Sequence, residues 1–494
     1  MKVVILGLLL LVATCTAERP SLKIEDWQGR YIVQFKKECQ SKGLKSVVEA
    51  AIPGEDSLFL EHVNAYIVKT PKLKIGQAIQ ITSVEDSLLK DCVASIEEDR
   101  LHTLEETPTT AQSELIIDPE TKEASVNPEF NFYYAWHLDR INARQGLDQD
   151  STVQFSTTNE SDVYIIDSGI DRHHIWLEDR CAPSDSDHFV AFDDTDDCGF
   201  YACDKNTHGT HVSGLVASDL YGYNPNATLH AVKVFNYSGR TTTSVILNGI
   251  DWVISYSSTK STPASVNMSL GGGYDSQLNS GVAELVANNV NVAVAAGNET
   301  SDACSKSPAS ESTVLTIGAT EQDDSMAWFS NFGSCVDFFA PGLDIVSTLP
   351  NNYVGTKSGT SMATPIVVGF MSAVAASQSS YFKDVPAVQT AIKDILTTNA
   401  VIGTSTNNDL IYGGYTLSNA TEAVVETANT DVVEPDQVVE TRKTPEIVED
   451  SSSNFFRYTF IAVCLAAVGF VAYKRNTTGK KNTLIEENYG KMIQ

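Results

Sequence analysis

The sequence predicts an α/β fold with a mainly parallel sheet and helices on both of its faces, preceded by a small α+β domain and followed by one transmembrane helix. In residues 131–420, short β-branched runs that end in glycine or asparagine alternate with helical patterns, which is typical of a parallel sheet. Residues 26–103 alternate strand-like runs such as RYIVQF with polar helical stretches. A long apolar segment occupies residues 455–473.

The composition is that of a globular protein and excludes one class of partner. Apolar residues make up 42% of the 494 residues, which is enough for more than one domain with its own core. The formal net charge is −29, whereas binding to a phosphate backbone needs clustered Lys and Arg. We therefore expect no nucleic-acid partner. We derive no substrate preference from the total charge, because acidic surfaces mainly keep proteins soluble.

Residues 1–17 have the pattern of a secretory signal peptide. Lys2 supplies a positive start, Val3 to Val12 form an apolar run too short to cross a bilayer, and Cys15 to Ala17 offer small residues for cleavage. A buried N-terminal strand is the alternative, and it fits poorly because the run is rich in leucine and lies at the terminus. We therefore expect the chain to enter the secretory pathway.

Residues 455–473 predict one membrane-spanning helix. A helix of this length extends about 28 Å at roughly 1.5 Å per residue, close to the hydrocarbon thickness of about 30 Å. Lys474 and Arg475 follow it, as expected on the cytosolic side. A core helix is the alternative, and it fits poorly because no further domain follows for it to pack against. We expect a type I membrane protein with an acidic, disordered stalk at 421–454 and a cytosolic tail at 474–494.

The cysteines agree with an oxidising compartment. Of the nine cysteines, eight remain after removal of Cys15, and Cys464 lies in the predicted membrane helix. The others are Cys39 and Cys92 in the N-terminal region and Cys181, Cys198, Cys203, Cys304 and Cys335 in the central region. Because five is odd, one central thiol is free or pairs elsewhere, and spacing alone does not fix the connectivity.

Two residues upstream in the central region could take part in acid–base chemistry. Asp167 ends the run VYIID, at the C-terminal end of a predicted strand, where chemistry collects in parallel sheets. Taken alone, it is more often a cap or a solvated turn residue. His208 and His211 stand in HGTHVSGLVA, in the first turn of a predicted helix, without the H-E-x-x-H pattern of a zinc protease. His208 is therefore either a general base or a hydrogen-bonded structural histidine.

The stretch SGTSMATP contains two serines, Ser358 and Ser361, and either could be a nucleophile. Pro365 is tolerated in a first helical turn, so we expect a helix to begin near Ser361. Ser361 would then lie beside unpaired N–H groups of the kind that bind an oxyanion. A serine becomes nucleophilic only with a base that a carboxylate orients, which His208 and Asp167 would supply. The α/β-hydrolase elbow G-x-S-x-G is the rival interpretation, and it is disfavoured because alanine replaces its final glycine and the chain order here is Asp, His, Ser.

These motifs resemble those of the subtilase serine proteases, and within them the proteinase K-like group. The matching stretches are IIDSGID around Asp167, NTHGTHVSG around His208, NMSLGG, VAVAAGNE around Asn298, FAPG and SGTSMATP around Ser361. The resemblance covers about residues 131–415 and implies a subtilisin-like sheet. The N-terminal α+β region resembles the inhibitor-type propeptide of such proteases through YIVQF and VASIEEDR. This implies an activation cleavage in the linker at residues 104–130.

The resemblance also implies a role for each matched residue. Ser361 is the nucleophile, His208 accepts and returns its proton, and Asp167 holds the imidazole. The side-chain amide of Asn298 completes an oxyanion hole with the Ser361 N–H. The residues expected to pair with the substrate backbone as an added strand are Gly239, Ser269, Leu270 and Gly271.

The resemblance also implies a calcium position and a disulfide, although the residues that match are less specific than the catalytic motifs. Asp337 matches a position that binds calcium in some relatives, and a solvated aspartate explains a single carboxylate equally well. Cys304 and Cys335 match a disulfide of some bacterial and fungal members. We expect one disulfide among the three cysteines of the acidic loop, Cys181, Cys198 and Cys203, without being able to choose it.

We therefore expect a secretory-pathway serine endopeptidase that is made as a zymogen, inhibited by its own propeptide and anchored at the cell surface or in a vacuole-like compartment. Its substrates are polypeptides, and its chemistry requires no cofactor, with structural calcium as an addition. A non-catalytic surface protein on the same scaffold is the alternative, and the complete triad argues against it. Glycosylation sequons occur at Asn159, Asn226, Asn236, Asn267, Asn298 and Asn419. We expect Asn267 and Asn298 to be unmodified, because a glycan on Asn298 would block the oxyanion hole.

Overall fold

The structure is a computed structural model that describes residues 22–24, 27–39, 44–52, 54–70, 91–104, 115–116, 134–142, 147, 160–192, 201–377, 401–402 and 409–410. The predicted signal peptide, acidic stalk, membrane helix and cytosolic tail lie outside the described residues, as does most of the predicted linker.

The described residues form six α-helices and twenty strands. The helices are α1 Leu44–Ala51, α2 Trp136–Asn142, α3 His208–Ala217, α4 Thr243–Ser257, α5 Ser276–Ala287 and α6 Thr360–Ser377. The strands are β1 Arg30–Phe35, β2 Glu55–Leu60, β3 Ala65–Lys69, β4 Val93–Glu98, β5 Leu101–Thr103, β6 Leu115–Ile116, β7 Ser161–Asp167, β8 Phe189–Val190, β9 Ala227–Lys233, β10 Arg240–Thr242, β11 Ala264–Met268, β12 Gly272–Gly273, β13 Val290–Ala295, β14 Lys306–Ser307, β15 Leu315–Thr320, β16 Phe338–Pro341, β17 Ile345–Leu349, β18 Tyr353–Lys357, β19 Val401–Ile402 and β20 Asp409–Leu410.

A large sheet forms the centre of the fold, and its described strands lie in the order β19-β20-β16-β15-β13-β11-β7-β9-β8. Neighbouring strands are parallel except β19 and β20, which are antiparallel. In β7, Val163 and Ile165 join one apolar cluster, whereas Tyr164 and Ile166 join another. A strand buried on both faces reads as an apolar run without alternation, which is how the sequence appears here. The predicted parallel α/β sheet is confirmed.

Helices cover both faces of this sheet. The side chains of α3 and α6 belong to one apolar cluster, and those of α4 and α5 belong to the other. Among the described helices, α6 is long and apolar enough to cross a membrane, but 94% of it is buried inside the protein, which makes it a core helix. It is distinct from the predicted membrane helix at residues 455–473, which lies outside the described residues.

The N-terminal region has its own antiparallel sheet, with strand order β2-β3-β1-β4 and helix α1 beside it. Tyr31 and Val33 of β1 belong to a small separate core, which the disulfide between Cys39 and Cys92 adjoins. Ile32, on the opposite face of β1, belongs to the same apolar cluster as α4 and α5. The N-terminal sheet is therefore packed onto the helices of one face of the central sheet.

The structure gives part of the disulfide connectivity of the central region. Cys304 and Cys335 form a disulfide, as the resemblance implied. In the acidic loop, Cys203 is disulfide-bonded and Cys181 is a buried free thiol. Burial raises the pKa of the Cys181 thiol to about 12, so it stays protonated at neutral pH.

Candidate active site

Asp167 and His208 meet at the C-terminal edge of the central sheet. Asp167 is the last residue of β7 and is fully buried, and His208 is the first residue of α3. The Nδ1 atom of His208 lies 2.9 Å from each carboxylate oxygen of Asp167. A carboxylate on Nδ1 fixes the orientation of the imidazole and leaves Nε2 for another partner. The structure thus brings the predicted acid and base together.

A second buried carboxylate, that of Asp204, holds these two elements in place. It accepts hydrogen bonds from the Ser168 hydroxyl at 3.0 Å and from the Thr210 N–H at 2.8 Å. The Ser168 hydroxyl accepts in turn from the Gly209 N–H at 2.9 Å. A Cβ on Gly209 would lie 2.1 Å from the carbonyl oxygen of Gly169, so only glycine fits this close approach. The turn after β7 and the first turn of α3 are therefore locked together.

Ser361 is the second residue of α6, at the positive end of the buried helix. Its hydroxyl donates to the Ser269 carbonyl at 3.3 Å, and the Ser269 hydroxyl donates to the Ser361 carbonyl at 2.8 Å. The described part of the chain shows no hydrogen bond from the Ser361 hydroxyl to His208. Hydrogen bonds of this kind are often long before the substrate binds. With the N-terminal strand in place, the Ser361 hydroxyl is therefore held against the Ser269 carbonyl.

Pro365 lies deeper in the helix than the sequence predicted. Because α6 begins at Thr360, the proline is the sixth helical residue and is outside the first turn. An N–H at this position would have bonded to the carbonyl of Ser361, four residues earlier. The Ser269 hydroxyl occupies that carbonyl instead. Ser269, which was expected to pair with the substrate, thus also supports the backbone of the predicted nucleophile.

Asn298 lies in the loop after β13, and the start of α6 orients its side chain. The side-chain oxygen of Asn298 accepts from the N–H and from the hydroxyl of Thr360, both at 2.9 Å. This leaves its amide nitrogen to donate into the cleft that Asn298 and Ser361 both line. The first N–H groups of a helix also lack intrahelical acceptors. Two kinds of hydrogen-bond donor are therefore available on one side of this cleft.

The cleft beside Ser361 contains about 450 Å³ of empty space. Its lining includes Ser269, Leu270 and Gly271. It also includes Thr103 at the end of the N-terminal region and Leu104, the first residue of the predicted linker. Strand β5 of the N-terminal region pairs antiparallel with β10, and the Leu104 N–H donates to the Gly239 carbonyl at 2.8 Å. The N-terminal region thus enters the cleft as an added strand. It uses the backbone edge that the resemblance assigned to the substrate.

Asp337 and His211 make contacts of a structural kind. The Asp337 carboxylate accepts from the Thr316 N–H at 2.9 Å. Within the described residues, no group of three His, Cys, Asp or Glu side chains could hold a metal ion, and calcium binding at Asp337 stays a prediction. His211 is fully buried, with Nε2 3.0 Å from the Ile345 carbonyl, and burial holds its pKa well below the usual range. His211 is therefore suited to a structural role.

The sequons that the structure describes differ in exposure. Asn267 is fully buried in β11, and Thr360 holds the side chain of Asn298. Asn236 is buried and its side-chain oxygen accepts from the Ser238 N–H. Asn226 is exposed. Glycosylation therefore stays a prediction, and Asn226 is the described position where a glycan meets least obstruction.

Sequence reasoning missed the residues that position the site. Asp204 stands four residues before His208, and an acidic residue just before a helix is a capping signal that could have found it. Thr360 and Ser168 gave no signal, because their partners lie 62 and 41 residues away along the chain. Only the fold brings these groups into contact.

The structure pairs a histidine with a buried carboxylate, and it places a serine at a helix N-terminus and an amide donor beside one cleft. These are the kinds of group that a serine hydrolase uses. The model of the subtilase family matches residues 159–428 of the chain. The chain belongs to the subtilase family, and it is a subtilisin-like serine protease.

Two of the matched relatives agree with this assignment. The subtilisin-like serine protease AsES of Sarocladium strictum is 40% identical over 283 residues, which cover 56% of this chain and 70% of that protein. The cuticle-degrading protease of Metarhizium anisopliae is 39% identical over 284 residues, with the same shares of 56% and 70%. Some other relatives are matched over about half of their length. A crystal structure of a cold adapted subtilisin-like serine proteinase is 35% identical, with 56% of this chain and 97% of that chain covered and a TM-score of 0.49.

Proposed function

We propose that this protein is a secretory-pathway serine endopeptidase, made as a zymogen and anchored to a membrane by one C-terminal helix. The observation that carries this proposal is strand β5, which lies beside Ser361 with its backbone paired to β10. A cleft that binds an added strand recognises main-chain groups, which every polypeptide offers. Lipids and small esters offer no such row of N–H and C=O groups.

The proposed reaction follows from the groups around the cleft. Ser361 Oγ attacks the carbonyl carbon of the scissile bond while His208 Nε2 takes the hydroxyl proton, and Asp167 stabilises the resulting imidazolium. The oxyanion accepts from the amide of Asn298 and from the Ser361 N–H. When the C–N bond breaks, His208 gives the proton to the leaving amine, and an acyl-enzyme remains. Water then repeats the sequence of steps and releases the acid. No cofactor takes part.

The N-terminal region, residues 26–103, acts in this proposal as an intramolecular inhibitor. Thr103 and Leu104 line the same cleft as Ser361, so a substrate is excluded while they are there. Activation requires a cut in the linker at 104–130, followed by departure of the strand. The signal peptide and the helix at 455–473 would place the catalytic domain, residues 131–420, on the lumenal or outer side of a membrane.

A fluorophosphonate probe tests the catalytic part of the proposal. The propeptide-free ectodomain should be labelled covalently, and Ser361→Ala should abolish the label. Ser358→Ala is the matched control, because the Ser358 hydroxyl accepts from the Asp344 N–H at 2.9 Å and serves the approach to the helix. Equal labelling of Ser361→Ala and the wild type, or loss of the label in Ser358→Ala alone, would refute the proposed nucleophile.

A further inference from the structure

A buried polar pocket lies at one side of the cleft and is filled by His102 of strand β5. Only 7% of His102 is exposed, although Thr103 beside it is open to solvent. His102 pairs with Thr241 in the strand ladder. It stands two residues before Leu104, which lines the cleft. The added strand thus directs one side chain into the catalytic domain at a fixed register, as a bound substrate would.

Hydrogen bonds fix the polarity of this pocket. The Thr243 hydroxyl donates to the Asp275 carboxylate at 2.8 Å, so its oxygen is left to accept. The Nε2 atom of His102 lies 2.8 Å from that oxygen. Asp275 cannot turn away, because its other oxygen accepts from the N–H groups of Gln277 and Leu278, at 2.9 and 3.1 Å, as the N-cap of α5. The pocket therefore offers an acceptor to a side chain that carries an N–H donor.

The shape of the pocket selects a flat side chain. A Cβ on Gly272 would lie 2.9 Å from Nδ1 of His102 and 3.6 Å from Cε1, so the ring occupies the space that glycine leaves open. The carboxylate of Asp275 lies 3.8 Å from Nε2, and the charge of the Arg100 guanidinium also acts on the ring. Burial lowers the pKa of His102, Asp275 opposes this shift and Arg100 adds to it, so the neutral imidazole is favoured in the pocket.

We propose that the pocket formed by Thr243, Asp275 and Gly272 is a specificity subsite for polypeptide substrates. It prefers histidine at the substrate residue that takes the place of His102 and whose backbone pairs with Thr241. This rests on the proposed endopeptidase function and adds a sequence preference to it. A substrate with leucine or phenylalanine there leaves the buried Thr243 oxygen without its donor. A buried acceptor left unpaired typically lowers affinity by roughly tenfold or more, so kcat/KM should fall by that factor.

The test is to digest a denatured mixture of proteins of known sequence with the propeptide-free ectodomain and to map the cuts by mass spectrometry. Histidine should be enriched about tenfold at one fixed position before the cut. The adjacent position, which pairs with Arg240 and holds the exposed Thr103, is an internal control and should show no preference.

Three variants separate the hydrogen bond from the shape. Thr243→Val keeps the volume and removes the acceptor, so it should lose the histidine preference while still admitting phenylalanine. Thr243→Ser should keep the preference. Gly272→Ala should exclude rings and favour small side chains, and it tests the same pocket if Thr243→Val fails to fold.

Cuts without histidine enrichment at any fixed position would overturn the subsite and leave the endopeptidase standing. Enrichment that survives in both Thr243→Val and Gly272→Ala would also overturn it. A complete absence of cuts would refute the endopeptidase itself, and the subsite with it.

Discussion

Removing one carboxylate from the interface between the N-terminal region and the catalytic domain should release the proposed inhibitor. Asp99 is buried and accepts from the N–H and hydroxyl of Ser244, at 2.9 and 2.6 Å, at the start of α4. It also faces Arg30 at 3.2 Å, and the side chains of both ion-pair partners have 0% exposure. Asp99→Asn keeps the shape but removes the buried negative charge that faces Arg30 and bonds to Ser244.

The expected loss of binding free energy follows from breaking the buried ion pair between Asp99 and Arg30. Breaking a buried pair by removing one partner costs about 3–5 kcal/mol. Burial raises the pKa of Asp99 despite its bonds to Ser244 and the nearby Arg30, so the carboxylate already carries its charge at some cost. We therefore take the lower limit, about 3 kcal/mol, which corresponds to about a 100-fold weaker complex. The bonds that Asp99 and Arg30 make to Ser244 cross to the catalytic domain and exist only in the complex, so the loss falls on association.

The assay is the activity of the processed, non-covalent complex on a peptide substrate as a function of dilution. The dilution that gives half of full activity should shift by about 100-fold toward higher concentration in Asp99→Asn. Glu98→Gln is the matched control, because Glu98 is the preceding residue and its side chain is exposed. A shift of less than threefold in Asp99→Asn, or an equal shift in Glu98→Gln, would refute the assignment of Asp99 as the buried anchor.

Three further predictions concern the cleft. Asn298→Ala should lower kcat by about 10²–10³ with little change in KM, and an unchanged kcat in steady-state assays would remove Asn298 from the oxyanion hole. Ser269→Ala should lower both Tm and kcat because the Ser361 carbonyl loses its donor. Pro365→Ala supplies a backbone N–H four residues after Ser361, so the double variant Ser269→Ala/Pro365→Ala should recover both values. A double variant with Tm and kcat no higher than those of Ser269→Ala would contradict this account. The lowered pKa of His102 favours its neutral form in the complex, so inhibition should be full above about pH 6.5 and should weaken as the pH falls below it. Dilution curves measured from pH 5 to 8 should show this loss in the wild type and no pH dependence in His102→Gln. A loss of inhibition at acid pH that persists in His102→Gln would assign the effect to another group.

The central sheet and the positions of the candidate site residues at its edge could be predicted because their signals are local. Apolar runs between helical patterns define the parallel strands, and a polar residue at the end of such a run lies at the C-terminal edge. Asp167 and Asn298 both end or follow apolar strands in this way. The residues that orient them could not be found so directly. The contact of Thr360 with Asn298 depends on where β13 and α6 meet, which neither stretch encodes alone.

The wrong assignment of Pro365 to the first helical turn has a similar cause. Proline is compatible both with a first helical turn and with a later turn whose free carbonyl has another donor, and sequence alone favours the first. In this protein the second applies, because Ser269 on a different element supplies the donor. The pocket for His102 was missed for the same reason, since its walls come from the starts of α4 and α5 and from β12.

The contacts of the N-terminal region also bear on the order of activation. Its anchors lie before the linker: Asp99 bonds to Ser244, and the backbone N–H of His62 donates to the buried Asp251 at 2.6 Å. A cut anywhere in residues 104–130 breaks none of them, so the cleaved strand should remain in the cleft. Cleavage and release are then separate steps in the proposed zymogen. Release would follow from weakening the interface itself, by dilution, by acid acting on His102 or by further proteolysis of the N-terminal sheet.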